Sequence, residues 1–387
     1  MSKTNKTVLL SVPNISGNEL KYVNECLETG WISSAGSYVN KFENMVADFV
    51  GAKYGIATMN GTSGLHIALI LNGVKRDDYV LVSNLTFVAS ANSIKYAGAE
   101  PIFIDADPKT WQMDLDLLDN FFANETSLNN NGERILNSDK RCIRTIMPVH
   151  IQGNIFDFDR FKSICNKYNM SYVEDAAEAL GSTYKGKSAG TFGKLGVFSF
   201  NGNKIISTGG GGVIVTDDEI IAAKAKHLTT TAKVDPMSYF HDEVGYNYRL
   251  VNVLAAIGVA QMEQLPNFIS KKNFIGNFYK KHLSSVGDIE FQSVLENVKH
   301  NDWLFTIKTN HQKNLLKYLN NNNIMSRPFW MPMNQLPMYA NCLYVNDNDN
   351  SKLIHENCLS IPCSTGINND ELNRVIFTIK KFFDQCT

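Results

Sequence analysis

Short apolar runs alternate with stretches of helical periodicity through the first two thirds of the chain. The runs that predict strands are rich in β-branched or aromatic residues and lie at 79–83, 101–105, 143–149 and 171–175. The stretches with helical spacing lie at 63–71, 89–96 and 156–168. Because strands separated by helices are typical of βαβ units, we predict an α/β fold with a mostly parallel sheet between helices.

The pattern changes after a long helical stretch that spans 252–265 and stops before Pro266. Proline is unfavourable inside a helix, so we expect this helix to end there. Beyond it, the regular alternation of strands and helices is lost. We therefore predict an N-terminal segment and large α/β domain over residues 1–265, and a small C-terminal α+β domain over residues 266–387.

The composition is that of a globular protein, with 387 residues of which 44% are hydrophobic and 19% are charged. Lys and Arg number 37 and Asp and Glu number 38, which gives a formal net charge of −1. Without a net positive field, we expect neither nucleic acid nor an anionic membrane surface as a partner. Small-molecule chemistry is the better expectation.

The seven cysteines include no CxxC pair, so we predict neither a zinc site nor a redox motif, and we expect no metal. Such cysteines are typical of unpaired thiols in a reducing compartment. No apolar run approaches the ~20 residues that cross a bilayer, and the first ten residues lack a signal-peptide core. The expected localisation is cytoplasmic.

The stretch from Asp175 to Lys204 carries the most chemistry. A strand-end carboxylate and a later lysine in a Ser- and Gly-rich setting suit pyridoxal phosphate. That cofactor needs a lysine for its Schiff base and a carboxylate that keeps the pyridine nitrogen protonated, so that the ring accepts electrons. A solvated lysine and an unrelated strand-end carboxylate are the alternative interpretation of these two residues alone.

A phosphate site is predicted where Gly61, Thr62 and Ser63 precede a helical run. Hydroxyls and unpaired N–H groups at a helix N-terminus favour a phosphate, although Thr and Ser also cap helices without any ligand. Phe87 follows another predicted strand, where its ring could stack on a cofactor or belong to the core.

These motifs together resemble those of the DegT/DnrJ/StrS sugar aminotransferases, which are pyridoxal phosphate enzymes of fold type I. The resemblance covers essentially the whole chain. Its motifs occur in the order of the family, at 61–63, 86–88, 173–181, 198–204 and 245–249. It implies a PLP-binding large domain and a homodimer with shared active sites.

The resemblance also implies roles for single residues. Lys204 would form the Schiff base and shuttle protons, and Asp175 would pair with the pyridinium nitrogen. Glu178 stands where the family often has Gln or His near the phenolic oxygen of the cofactor, so its role is open. The other implied cofactor contacts, of which Asn247 would reach the neighbouring subunit, are Gly61, Thr62, Ser63, Phe87, Ser199 and Asn247.

The segments 29–36 and 327–332 look most like LegC-type members, which act in the legionaminic acid and bacillosamine branch of surface-glycan synthesis. This implies L-glutamate as donor and a UDP-linked 2-acetamido-2,6-dideoxy-4-keto-hexose as acceptor, aminated at C-4. Arg249 could take the donor carboxylate or form a structural ion pair. The candidate sugar or diphosphate contacts, for which surface salt bridging is the alternative, are Ser33, Ser34, Lys185, Lys187 and Arg327.

Other functions stay open at this point. The acceptor could be a GDP-linked 4-keto sugar on the way to perosamine, or a C-3 ketone. His150 and His227 could share in proton transfer, although structural roles are favoured for both. A sugar dehydratase would lack the Schiff-base lysine, and a non-catalytic regulator would have no need of Lys204 and Asp175.

Overall fold

The computed structural model describes residues 6–235 and 237–385. Cys386 lies outside these ranges. The helices within them are α1 (Glu19–Thr29), α2 (Ser37–Val50), α3 (Gly61–Leu71), α4 (Val88–Tyr96), α5 (Leu115–Glu125), α6 (Phe158–Tyr168), α7 (Glu219–Thr229), α8 (Asn252–Leu283), α9 (Gln312–Asn321), α10 (Asn350–Asn357) and α11 (Asn369–Asp384).

The strands are mostly short. In chain order they are β1 (Tyr54–Thr58), β2 (Tyr79–Ser83), β3 (Glu100–Ile104), β4 (Thr126–Leu128), β5 (Arg134–Leu136), β6 (Ile143–Met147), β7 (Ser171–Tyr172), β8 (Glu174–Asp175), β9 (Thr183–Tyr184), β10 (Lys187–Ser188), β11 (Gly196–Ser199), β12 (Gly212–Thr216), β13 (Lys233–Asp235), β14 (Phe240–His241), β15 (Glu290–Phe291), β16 (Val298–Lys299), β17 (Phe305–Lys308), β18 (Arg327–Pro328), β19 (Tyr344–Val345) and β20 (Cys358–Ile361).

A parallel sheet forms the centre of the large α/β part, with strand order β19-β3-β2-β6-β7. Its three central strands, β2, β3 and β6, are nearly fully buried, as expected for a sheet covered by helices on both faces. A second sheet, β1-β12-β11-β8, pairs β8 and β11 in parallel and the other strands antiparallel. A bridge between Val149 and Asp175 joins the two sheets. The predicted α/β fold is confirmed.

The C-terminal part contains an antiparallel sheet, β15-β17-β20-β18, and a core of its own. This core includes Leu315, Leu319, Val375 and Ile379 from α9 and α11. The segment is not self-contained, because β19 returns to the edge of the large parallel sheet beside β3. The division into domains near residue 265 stays a prediction.

The expected helix end before Pro266 is wrong, since α8 continues through this proline to Leu283. The lost hydrogen bond is offset by burial on both sides of Pro266. Leu265 packs into the core of the large part, and Tyr279 packs into the C-terminal core. α8 is therefore the element that connects the two cores. Among the described residues, no helix is long and apolar enough to cross a membrane.

Candidate active site

A cavity of about 330 Å³ opens where several strands end. β8 ends at Asp175 and β11 ends at Ser199, while α3 begins at Gly61 and α4 begins directly after Phe87. All four residues line the cavity, as does Lys204. This is the position at which α/β sheets bind small molecules, and the volume suits such a ligand.

The Asp175 carboxylate is held by two hydrogen-bond donors. The Ser90 hydroxyl donates to Oδ2 at 2.7 Å, and the backbone N–H of Ala177 donates to Oδ1 at 3.1 Å. The Ser90 hydroxyl also lies 2.9 Å from that of Thr86. Burial raises the pKa of Asp175, and the bond from Ser90 opposes this shift. The carboxylate is thus fixed in one orientation at the edge of the cavity.

Lys204 follows β11 on a tight turn, in which its backbone N–H donates to the Asn201 carbonyl at 2.9 Å. Its Nζ lies 3.6 Å from Oε1 of Glu178 and 3.9 Å from the centroid of the Trp303 ring. Burial lowers the pKa of Lys204, against the opposing pull of Glu178 and Asp175. A lowered pKa enlarges the neutral fraction of the amine, which is the form that attacks a carbonyl.

Glu178 lines the same cavity, and its Oε2 accepts a hydrogen bond from the backbone N–H of Gln152 at 2.7 Å. Gln152 is buried with a φ of 58°, in the left-handed region that few residues other than glycine adopt. Burial raises the pKa of Glu178 to about 7, and Lys204 opposes this shift. Such a carboxyl donates a hydrogen bond when neutral and accepts one when ionised.

The N-terminus of α3 forms the end of the cavity that suits a phosphate. The Asn60 side chain caps the helix by accepting from the Ser63 N–H at 2.8 Å. The N–H groups of Gly61 and Thr62 precede the first intrahelical bond, and both residues line the cavity. Gly61 and Thr62 line the cavity and Ser63 does not, so the implied phosphate contact of Ser63 stays a prediction.

Gly61 also allows α3 to approach the end of β11. A Cβ at position 61 would lie 2.9 Å from Cβ of Ser199, too close without a shift of one segment. The glycine thus brings the Ser199 hydroxyl beside the first turn of the helix. N–H donors, a hydroxyl and the helix dipole fit the phosphate of pyridoxal phosphate. Asp175 and Lys204 fit its ring nitrogen and its aldehyde carbon.

Three aromatic side chains also line the cavity. Phe87, the predicted stacking residue, is 52% exposed. Trp303 and Trp330 come from the C-terminal part, with ring centroids 6.3 Å apart and planes 23° from parallel. Trp330 lies in the segment 327–332 but carried no predicted role. Trp303 precedes β17 outside every quoted motif, so no local pattern marked it.

Several predicted substrate contacts do not line the cavity. Lys185, for example, is exposed and pairs with Asp159 at 2.5 Å, as the salt-bridge alternative expects. Roles in substrate binding stay predictions for all of these residues, which are Ser33, Ser34, Lys185, Lys187 and Arg327.

Arg249 forms the structural ion pair that was one of its two predicted roles. Its guanidinium is buried and pairs with both carboxylate oxygens of Glu43, one of them at 3.0 Å. It also donates to the Ala57 carbonyl at 3.2 Å, and it does not line the cavity. Arg249 thus commits three of its N–H donors to Glu43 and Ala57 in the core, outside the cavity. The structure shows the ion pair, and a role of Arg249 in binding the donor carboxylate stays a prediction.

Two histidines and Asn247 also lie outside this cavity. His150 is fully buried and lies 3.0 Å from Glu174, and His227 lies 2.7 Å from Asp242, so both have the structural roles favoured above. Asn247 is exposed, and the carbonyl of the next residue, Tyr248, accepts from the N–H of Met59 near the start of α3. Its implied contact with a second subunit stays a prediction.

The comparisons with known proteins agree with this geometry. The model of the DegT/DnrJ/EryC1/StrS aminotransferase family matches residues 13–380. The chain is 38% identical over 331 residues to GDP-perosamine synthase of Escherichia coli O157:H7. The match covers 85% of this chain and 86% of that one. It is 36% identical over 375 residues to GDP-perosamine synthase of Caulobacter vibrioides, with 95% and 96% covered.

Among solved structures, the PLP form of Spr1654 from Streptococcus pneumoniae superposes with a TM-score of 0.88 at 22% identity. The match covers 98% of this chain and 100% of that chain. At this identity the likeness shows the shared fold, which is fold type I. The chain belongs to the DegT/DnrJ/EryC1/StrS family and is a pyridoxal phosphate-dependent aminotransferase.

Proposed function

We propose that the protein transfers the amino group of L-glutamate to C-4 of a nucleotide-linked 4-keto-6-deoxy sugar, for surface-polysaccharide synthesis. The first candidate for the acceptor is the GDP-linked 4-keto-6-deoxymannose. This choice is supported by the two relatives named GDP-perosamine synthase, which match most of the chain. The sequence instead predicted a UDP-linked acceptor from the legionaminic acid and bacillosamine branch of surface-glycan synthesis. That acceptor is the second substrate to be tested.

The observation that carries the proposal is the convergence of Asp175 and Lys204 on one cavity whose far end is a helix N-terminus. Pyridoxal phosphate, when bound, supplies the electron sink that lets an amino acid and a keto sugar exchange an amino group. Asp175 would hold the proton on the ring nitrogen. Gly61, Thr62 and Ser199 would bind the phosphate and fix the ring between these anchors.

Lys204 has two tasks in this proposal. It would hold the cofactor covalently at rest and, once displaced by a substrate amine, move a proton between the substrate carbon and the cofactor carbon. Its burial supports the second task, because a lowered pKa enlarges the neutral fraction of the amine that accepts the proton. Lys204 would pick up the proton as an amine and return it as an ammonium group, so each half-reaction leaves it unchanged.

The proposed active form is a homodimer. Phe87 is half exposed although it lines the cavity, so the cavity wall is incomplete on this side within one chain. Met59 is also exposed, next to the α3 cap, and is bonded to the segment that carries Asn247. A second copy would cover this surface and bring its own Asn247 to the phosphate end. Analytical ultracentrifugation of the active enzyme tests this point, and an active monomer would contradict it.

The substrate is tested by offering the GDP-linked and the UDP-linked 4-keto sugars side by side, with L-glutamate as donor. We expect amino-sugar product with the GDP-linked substrate at a kcat/KM at least about tenfold higher, which corresponds to about 1.4 kcal/mol. A preference for the UDP-linked sugar would overturn the GDP assignment and leave the aminotransferase chemistry intact. Product NMR decides between C-4 and C-3.

A further inference from the structure

We infer that Trp303 is a positioning residue that holds the amine of Lys204, together with Glu178, whenever that amine is not bonded to the cofactor. The inference rests on the proposed role of Lys204. Nζ lies 3.9 Å from the centroid of the Trp303 ring and 3.6 Å from Oε1 of Glu178. An ammonium group is attracted to the electron-rich face of an indole ring, more strongly in a desolvated site.

The Trp303 ring is fixed relative to the turn that carries the lysine. Its Nε1–H donates to the carbonyl of Asn203 at 2.7 Å, and Asn203 directly precedes Lys204. The side chain is only 2% exposed, so the ring has little freedom to leave this place. The distance between ring and amine is therefore set by the hydrogen bond as well as by packing.

The same framework holds Glu178. Asn301, which is fully buried, accepts from the Trp303 backbone N–H at 3.0 Å through its side-chain oxygen. The side-chain amide of Asn301 donates to the carbonyls of Glu178 at 2.8 Å and Leu180 at 3.0 Å. The buried amide of Asn301 thus links Trp303 and Glu178, the two residues that contact the amine of Lys204.

This arrangement meets a need of the proposed chemistry. A displaced lysine must stay near the reacting carbons in both its neutral and its charged form. Burial favours the neutral amine, while the charged groups that face it, Glu178 and Asp175, favour the ammonium form. Trp303 also favours the ammonium form, but it adds no titratable group. It therefore adjusts the pKa of the lysine and restricts its position without taking up a proton.

The test uses full-length protein stripped of cofactor and then mixed with pyridoxal phosphate. The rate at which the visible Schiff-base absorbance returns rises as Lys204 loses its proton, so the midpoint of this rate against pH reports the pKa of the amine. We expect Trp303→Leu to lower the midpoint by roughly one pH unit, the size of a desolvated cation–π contact. Trp303→Phe keeps a weaker ring and should shift it less, in the same direction.

Trp31→Leu serves as a matched control, since Trp31 is exposed and does not line the cavity, and its midpoint should equal that of the wild type. An unchanged midpoint in Trp303→Leu overturns the inference, because a purely structural Trp303 would lower stability without moving the pKa. If Trp303→Leu does not fold, the phenylalanine variant decides, and an unshifted or raised midpoint overturns the inference.

Lys204→Ala separates this inference from the proposed function. If it still regains the Schiff-base absorbance, the assignment of Lys204 fails and the inference fails with it. If the absorbance is lost in Lys204→Ala but the midpoints of the Trp303 variants match the wild type, only the role of Trp303 fails.

Discussion

Two buried pairs of a cation and a carboxylate behave differently in this molecule. Arg249 and Glu43 share two contacts, and the Glu43 carboxylate also accepts from the Ala57 N–H at 2.6 Å. Lys204 and Glu178 lie 3.6 Å apart, beyond the length of a good hydrogen bond, at the edge of a cavity. The first pair is held by direct hydrogen bonds within the core, and the two groups of the second pair are too far apart for a good hydrogen bond.

This difference separates a structural pair from a reactive one. The Arg249 pair is held by several direct hydrogen bonds, and removing one partner would leave an uncompensated buried charge. In the loose pair, burial lowers the pKa of Lys204 and raises that of Glu178 to about 7, so burial favours the neutral form of both groups. Buried charge alone therefore does not mark the active site. The active site is marked by the pair of Lys204 and Glu178, which faces a cavity and is not tightly bonded.

Removal of the reactive cation should have the largest effect on function. We expect Lys204→Ala to abolish the visible Schiff-base absorbance, the adduct trapped by borohydride and measurable turnover, because no other lysine lines the cavity among the described residues. Lys167→Ala is the control, since Lys167 is exposed and pairs with Asp119. Absorbance and adduct retained in Lys204→Ala would show that the loose pair is not the reactive one.

The next largest effect is expected from Asp175, the carboxylate proposed to pair with the ring nitrogen of the cofactor. Asp175→Asn should fold but lose at least about 10²-fold in the rate of the half-reaction with L-glutamate, because a neutral pyridine ring is a poorer electron sink. Ser90→Ala removes only the 2.7 Å hydrogen bond to Asp175 and should cost about tenfold. Single-turnover kinetics with L-glutamate measure both. Near-normal rates in Asp175→Asn would contradict the assignment.

The reactive residues of this comparison could be predicted from the sequence because topology brings strand ends together. Asp175 ends a predicted strand, and the predicted strand at 79–83 coincides with β2. The order of motifs then places Lys204 and the start of α3 at the same edge of the sheet. Side chains that follow strands in a parallel sheet meet without any knowledge of the loops.

The rest depends on packing between distant segments. Trp303 reaches the cavity from a loop of the C-terminal part, and no periodicity encodes that approach. The continuation of α8 past Pro266 depends on two cores that bury its two halves. Arg249 lies in a motif that resembles the family's, yet its partner Glu43 comes from α2. Local sequence patterns do not contain these long-range contacts, so they could predict neither the helix through Pro266 nor the pairing of Arg249 with Glu43.

Breaking the pair of Arg249 and Glu43 should lower the stability of the protein and leave its chemistry unchanged. Arg249→Met leaves the Glu43 carboxylate buried without its cation and should lower the free energy of unfolding by about 3–5 kcal/mol, measured by urea denaturation. Adding Glu43→Gln, which removes that charge, should recover part of the loss. The Schiff-base absorbance per folded molecule should stay the same in both. A loss of absorbance without destabilisation would place Arg249 in the active site after all.

The smallest effect concerns the pH dependence of stability in the cofactor-free protein. Burial raises the pKa of Glu178 to about 7 from an ordinary value of 4.5. The folded state therefore holds this proton more tightly than the unfolded state. Its contribution to stability is present below the unfolded pKa and is lost as the pH rises through the folded pKa. Asp175, whose pKa is also raised, contributes in the same direction.

Glu178→Gln should remove this contribution and flatten the profile. Between about pH 5 and about pH 8, we expect the wild type to lose roughly 1–3 kcal/mol more of its free energy of unfolding than the variant does. Urea denaturation at the two pH values measures the difference. Glu263→Gln is the control, because Glu263 is exposed and should leave the profile unchanged. Equal slopes in wild type and Glu178→Gln would mean that Glu178 stays ionised, so that the Lys204 pair is held by charge as firmly as the Arg249 pair.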